Sequence, residues 1–158
     1  DIRGIQSNNM RAVIQRVKSS KVTVDEKVTG AIGRGLMVLI GVEVGDSEKD
    51  AQYIADKVTG LRIFEDENGK MNLSVKETNG KILAVSQFTL LGDVRKGKRP
   101  SFTKAARPEE AQSLYRRVIE NIISQGIDVE EGIFQEEMLV EIYNDDPVTI
   151  LLDSNKKF

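Results

Sequence analysis

The run Leu36-Met37-Val38-Leu39-Ile40-Gly41-Val42 is apolar at every position, so a strand built from it must hide both of its faces. Such a strand belongs in the middle of a sheet covered by other layers. Its neighbours supply those layers. Arg11-Ala12-Val13-Ile14-Gln15-Arg16-Val17 and Lys21-Val22-Thr23-Val24 are rich in β-branched residues, and Asp25-Glu26-Lys27 turns the chain into Val28-Thr29-Gly30-Ala31-Ile32. Ser47-Glu48-Lys49-Asp50 reads as a capping box with Asp in place of Glu, and Ala51, Ile54, Ala55, Val58 and Leu61 then recur at helical spacing. Asp66-Glu67-Asn68-Gly69-Lys70 predicts a turn between Arg62-Ile63-Phe64 and Met71-Asn72-Leu73. A second helix opens at Pro108, carries the stripe Ala111, Leu114, Tyr115, Val118, Ile119, Ile122 and Ile123, and stops at Gly126. Beyond it, Ile127-Asp128-Val129, Met138-Leu139-Val140-Glu141-Ile142-Tyr143 and Val148-Thr149-Ile150-Leu151-Leu152 read as strands. The last two are expected to form a hairpin through Asn144-Asp145-Asp146-Pro147.

A chain of 158 residues is the size of one domain and can bury roughly 68–70% of its unfolded surface. The elements add up to a single α+β domain over residues 10–158, with a largely antiparallel sheet and two main helices. Met10 reads as the natural start and residues 1–9 as a remnant or disordered extension, because they lack the basic and apolar regions of a secretory signal. No apolar stretch approaches the ~20 residues of a membrane span, so a soluble protein with no membrane partner is expected.

The zero counts restrict the chemistry. With no His and no Cys, Ser-His-Asp and Cys-His catalysis, thiolate redox chemistry and ordinary zinc sites are excluded within the chain. Absence of disulfides suits a reducing cytosol. No metal site and no cofactor are expected. The polar strand end Ser86-Gln87-Phe88-Thr89-Leu90 follows the apolar Ile82-Leu83-Ala84-Val85, and a rigid strand end can hold polar groups in register. Thr89 without a neighbouring base is a poor nucleophile. Backbone N–H groups near Phe88 and Thr89 could instead stabilise an oxyanion. The net charge is 23 − 25 = −2, yet Arg95, Lys96, Lys98, Arg99, Lys104 and Arg107 cluster between Gly92 and Arg107 against the single acid Asp93. Ser101 and Thr103 add hydroxyls to a patch suited to a polyanion's phosphates.

Four segments in colinear order are more specific than any one of them: Met10-Arg11-Ala12-Val13-Ile14-Gln15-Arg16-Val17, Val85-Ser86-Gln87-Phe88-Thr89-Leu90, Arg95-Lys96-Gly97-Lys98-Arg99-Pro100-Ser101-Phe102, and Asn144-Asp145-Asp146-Pro147-Val148-Thr149. Together they resemble the D-aminoacyl-tRNA deacylase family, from Met10 to about Asp153. The resemblance implies that family's fold, with a barrel-like core. It implies hydrolysis of the ester of D-aminoacyl-tRNA, and of glycyl-tRNA mischarged on tRNA(Ala), as a cytoplasmic chiral proofreading step of translation. It also implies a homodimer with active sites at the subunit interface. By that analogy Ser86, Gln87, Phe88 and Thr89 line the pocket for the aminoacylated terminal adenosine, with Met138 beside the substrate. Asp146, Pro147, Val148 and Thr149 enter from the partner to select chirality, and Arg16 helps fix them. Arg95, Lys96, Lys98, Arg99 and Lys104 bind tRNA. The chain departs from the family at Asp146, where the usual motif has Gly before a cis proline. The alternatives are a tolerated turn substitution, or a noncatalytic or altered-specificity aminoacyl-tRNA-binding dimer.

Overall fold

Fourteen residues, Arg11–Val24, form one uninterrupted strand, β1, in the computed structural model, which describes residues 9–158. The expectation for residues 1–9 therefore lies, apart from Asn9, outside the described residues. The two β-branched runs on either side of Lys18-Ser19-Ser20 are one strand because that link is absorbed as a bulge. Val17 pairs with Asn144 and Ser19 with Tyr143, which leaves Lys18 as the extra residue. A single extra residue reverses which face later side chains take. Ala12 and Ile14 accordingly face the helices, whereas Val22 and Val24 join Val17 in a second apolar cluster.

β1 is paired on both edges. One edge carries β3 (Gly35–Gly41) beside Arg11–Val17 and then β2 (Lys27–Ile32) beside Ser20–Val24, both antiparallel. The other edge carries β8 (Leu139–Asp153), also antiparallel. Asp25 and Glu26 adopt the left-handed region, at φ 48° and 65°, which closes the expected hairpin between β1 and β2. β3 is buried and central, as its composition requires. It pairs in parallel with β6 (Lys81–Ser86), which pairs in parallel with β7 (Val129–Glu131). The small strands β4 (Phe64–Glu65) and β5 (Met71–Leu73) stand apart as the predicted turn's arms.

The sheet nearly closes into a barrel where β2 meets β7. Thr29 Oγ1 donates to the Glu131 carbonyl at 3.3 Å. A Cβ on Gly30 would lie 2.4 Å from that same oxygen, so only glycine permits the approach.

The helices α1 (Glu48–Gly60) and α2 (Pro108–Ser124) cover one face of this sheet. The capping box is formed, with the Ser47 N–H donating to Asp50 Oδ2 at 2.8 Å. The α2 stripe is buried as expected except for Ile123, which is exposed. Ile54, Val58, Val118, Ile119 and Ile122 meet Ile14, Leu36, Ile40 and Ile82 in the main core. Each such fully buried side chain contributes about 1.5–3 kcal/mol.

The predicted hairpin at Asn144–Pro147 is not formed. Both of its arms pair with β1 in the same direction, so the chain never reverses. Gln15 pairs with Thr149 and Val17 with Asn144. Two steps along β1 (17 − 15) thus span five along β8 (149 − 144), and the turn-like residues become a wide bulge. Proline, with no N–H to give the ladder, is tolerated at such a place.

Beside the start of β1, Glu43, Asp46, Asp50 and Asp153 are all buried. Asp46 Oδ2 accepts the Glu43 N–H at 2.7 Å, but burial, with the nearby acids adding to it, pushes the Asp46 carboxyl up to about 7. The folded state therefore holds this proton more tightly than the unfolded chain. Stability falls as pH rises from about 4 to about 7, and the whole penalty is present above that window. Asp46→Asn keeps an acceptor and removes the titration. Its thermal midpoint is expected to exceed the wild type's at pH 8 and to lose that advantage at pH 4. A constant offset across pH would show that Asp46 does not titrate in this window.

Candidate active site

The apolar part of β6 is buried between β3 and β7, so its end is a fixed point. Gln87 continues the pairing with its N–H donating to the Ile40 carbonyl at 2.7 Å. The chain then winds into a 3₁₀ turn, Phe88–Leu91. Phe88 and Thr89 open that turn, so their N–H groups have no acceptor within it. The Gln87 side-chain amide donates to Thr89 Oγ1, which leaves the threonine proton free to point elsewhere.

Ser86, Gln87 and Phe88 border a cavity of about 510 Å³ whose other walls include Phe102, Phe134, Pro108 and Met138. A smaller cavity of about 190 Å³ shares Ser86, Phe134 and Met138 and reaches toward Tyr115, Arg116 and Glu131. There Arg116 grips Glu131 through two hydrogen bonds of 2.9 and 3.0 Å, and the Tyr115 hydroxyl donates to the same carboxylate at 2.9 Å. Burial, then the charge of Glu131, holds the Tyr115 hydroxyl far above the usual phenol range. It stays protonated.

Phe88 and Phe102 are 56% and 36% exposed. Their rings meet edge to face with centroids 5.3 Å apart. Exposed aromatic faces beside a cavity suit a flat, stacking ligand. Nothing in the local sequence marks Phe102 or Phe134 as lining a cavity. Phe102 stood in the basic segment without a chemical argument, and Phe134 lies in an irregular stretch after β7 with no periodicity to mark it.

The basic segment is a loop closed by Asp93 and Ser101, which exchange N–H···O bonds of 2.8 and 2.9 Å. Arg95 is already committed there. Its guanidinium takes both carboxylate oxygens of Asp93, at 2.7 Å for the shortest contact, and those bonds hold the Asp93 carboxyl far below the ordinary range. Lys104 faces Glu43 and Asp93. Lys96, Lys98 and Arg99 remain exposed at the tip.

The second predicted half-site is built around Arg16, only 3% exposed. Its guanidinium donates to the carbonyls of Ile63 at 2.7 Å, Asp145 at 2.9 Å and Asp146 at 3.3 Å. It thereby satisfies bulge carbonyls that the ladder leaves unpaired. Asp145 Oδ2 lies 3.7 Å from Nε and balances the charge. Asp146 sits at φ 45°, the left-handed conformation that glycine enters freely and that aspartate tolerates better than most side chains. Peptide bonds among the described residues are trans, Asp146–Pro147 included.

Within one chain these two halves do not meet. The order β8-β1-β3-β6 puts two strands between the bulge and Ser86. Ser86 is level with Ile40 and Ala12, four residues along β1 from Arg16. At about 4.8 Å per strand and 3.3 Å per residue the separation is roughly 20 Å. Met138 joins the Ser86 side, whereas Val148 and Thr149 stay with the bulge.

The family model described as D-Tyr-tRNA(Tyr) deacylase matches residues 13–153. A D-aminoacyl-tRNA deacylase of Thermotoga petrophila is 60% identical over 149 residues, covering 94% of this chain and 100% of that protein. One of Koribacter versatilis is also 60% identical over 149 residues, with the same coverage. Among solved structures, the c-Myc DNA Unwinding Element Binding Protein superposes with a TM-score of 0.86 at 41% identity, covering 90% of this chain and 97% of that one.

Arg16→Met would keep the packing of the stem and strip the donors from three carbonyls. A loss of about 3 kcal/mol is expected, read as a lower urea midpoint with an unchanged slope. A loss under about 1 kcal/mol would show that the bulge holds without the guanidinium.

Proposed function

Because the chain belongs to the D-Tyr-tRNA(Tyr) deacylase family, we infer that it hydrolyses the ester joining a D-amino acid to tRNA and releases free tRNA. The observation that carries this reading is the near-complete likeness to proteins named for that activity. The aromatic-lined cavity bordered by Ser86, Gln87 and Phe88 supports a site at this strand end. The relatives favour a catalytic protein over a noncatalytic RNA-binding dimer. Asp146 in the conformation a glycine would take is consistent with a tolerated substitution.

The terminal adenosine is held in the cavity, its base against Phe88, Phe102 and Phe134. Water, or the ribose 2′-hydroxyl followed by water, adds to the ester carbonyl. The bond from that carbon to the ribose oxygen breaks, and a proton passes to the departing oxygen. The N–H groups of Phe88 and Thr89 stabilise the oxyanion, worth about 3 kcal/mol for one well-placed donor. Thr89, oriented by Gln87, positions the attacking group. No imidazole is needed when the substrate is an activated ester with a hydroxyl beside it. The charged tRNA places this reaction in the cytoplasm.

The site is completed in a homodimer. One chain keeps the Ser86–Thr89 segment and the bulge apart, and β8 presents Leu139 and Tyr143 on one face at 63% and 58% exposure. A second copy covers that surface and brings the partner subunit's Asp146, Pro147, Val148 and Thr149 to the cavity. There their backbone meets the substrate ammonium and excludes an L side chain.

Incubation with D-tyrosyl-tRNA is expected to release D-tyrosine, with glycyl-tRNA also cleaved and L-tyrosyl-tRNA spared, by protein that sediments as a dimer. No release at enzyme concentrations matched to the tRNA would defeat the proposal.

Lys96, Lys98 and Arg99 reach the tRNA phosphates. Lys98→Ala is expected to flatten the dependence of log(kcat/KM) on log salt by roughly 0.7–0.9 for a lost phosphate contact. Arg95→Ala, already neutralised by Asp93, is expected to flatten it less. A Lys98→Ala slope equal to the wild type's would turn the loop away from the RNA.

A further inference from the structure

The turn that carries Thr89 is held from outside its own segment. Arg11, Gly41 and Asp153 are partners in register across three adjacent strands, so their side-chain positions share one face. Gly41 has no side chain, and the turn packs into that gap. A Cβ there would lie 2.7 Å from Leu91 Cδ2 and 3.1 Å from the Gln87 carbonyl oxygen. Arg11 Nη1 donates to the Leu90 carbonyl at 3.1 Å, one residue past Thr89. On its other side Arg11 Nε lies 3.5 Å from Asp153 Oδ2. Asp153 is 1% exposed, and its Oδ1 accepts the Asn155 N–H at 2.7 Å. The carboxylate is thus fixed, and its charge lies beside the guanidinium as an ion pair.

We propose that Arg11, anchored by Asp153, is a positioning residue that sets the attitude of the Phe88–Leu91 turn and so of the groups at Phe88 and Thr89. This rests on the reading that the turn is the catalytic edge. Arg11 touches no reacting atom. It acts through the Leu90 peptide, and a displacement of about 1 Å at that peptide is enough to slow a pre-organised reaction about 100-fold. Glu43 also feels the Arg11 charge. The charged groups that face Arg11 are thus Glu43 and Asp153; Lys104 in turn acts on Glu43, and Asp46 and Asp50 sit beside these acids.

Arg11→Gln, Arg11→Lys, Asp153→Asn, the Arg11→Gln/Asp153→Asn pair and Gly41→Ala are assayed with D-tyrosyl-tRNA, with thermal midpoints taken in parallel. Arg11→Gln is expected to lower kcat about 10-fold or more with KM within twofold, while the folded fraction at assay temperature stays complete. Arg11→Lys, which keeps a charge for Asp153, is expected to recover part of that loss. The double variant is expected to be no slower than Arg11→Gln alone, because residues acting as one unit are not additive. A raised KM at unchanged kcat would overturn the proposal and make Arg11 a tRNA contact. If Arg11→Gln does not fold, the kcat and KM of Arg11→Lys decide by the same criterion. Gly41→Ala crowds the turn from the strand side. Wild-type kcat in that variant would overturn the placement of the site at the turn, and the brace with it. A slow Gly41→Ala beside a wild-type Arg11→Gln would overturn the brace alone.

Discussion

Hydrogen bonding along both edges of β1 is the constraint on which the other elements depend. β3 and β2 take one edge in succession and β8 takes the whole of the other, so β1 fixes the level of every strand from β8 through to β6. The cavity edge at Ser86 inherits its height from β3, which inherits it from β1. The bulge at Asp145–Val148 faces β1 directly. The two segments proposed to form the active site are thus placed by one ladder, although sixty positions of sequence separate Thr89 from Thr149.

Periodicity and caps made much of this legible. The central apolar run, the capping box at Ser47 and the Pro108 helix each follow from local chemistry that tertiary contacts then reinforce. The Asn144–Pro147 segment misled because its composition is that of a turn, and composition does not reveal whether both arms will pair with the same strand. What decided the matter lies elsewhere: a buried Arg16 that feeds the bulge carbonyls. A similar limit applies to the basic loop. Charge counting weighs Arg95 and Lys98 alike, whereas folding pairs one with Asp93 and leaves the other exposed. Phe102 and Phe134 were not legible as site residues, since only the fold brings them to the same cavity.

A protein without histidine has to obtain its chemistry from geometry. Here the polar groups at the strand end beside the cavity are backbone amides, the Ser86 hydroxyl and the Gln87 amide, with Thr89 one residue beyond the Phe88 wall. Their usefulness depends on their being held still. A short strand end buried between two neighbours and a glycine seat hold them, with the half-buried Arg11 beside the turn, and the Tyr115–Glu131–Arg116 network borders the adjoining wall.

The extra residue at Lys18 gives β1 something like two reading frames. Before it, even-numbered side chains turn toward the helices. After it, even-numbered Val22 and Val24 belong to the opposite cluster. Loss of that one residue would leave the composition almost unchanged and present half of the strand inside out, so the phase of this strand is as much a part of its specification as its hydrophobicity.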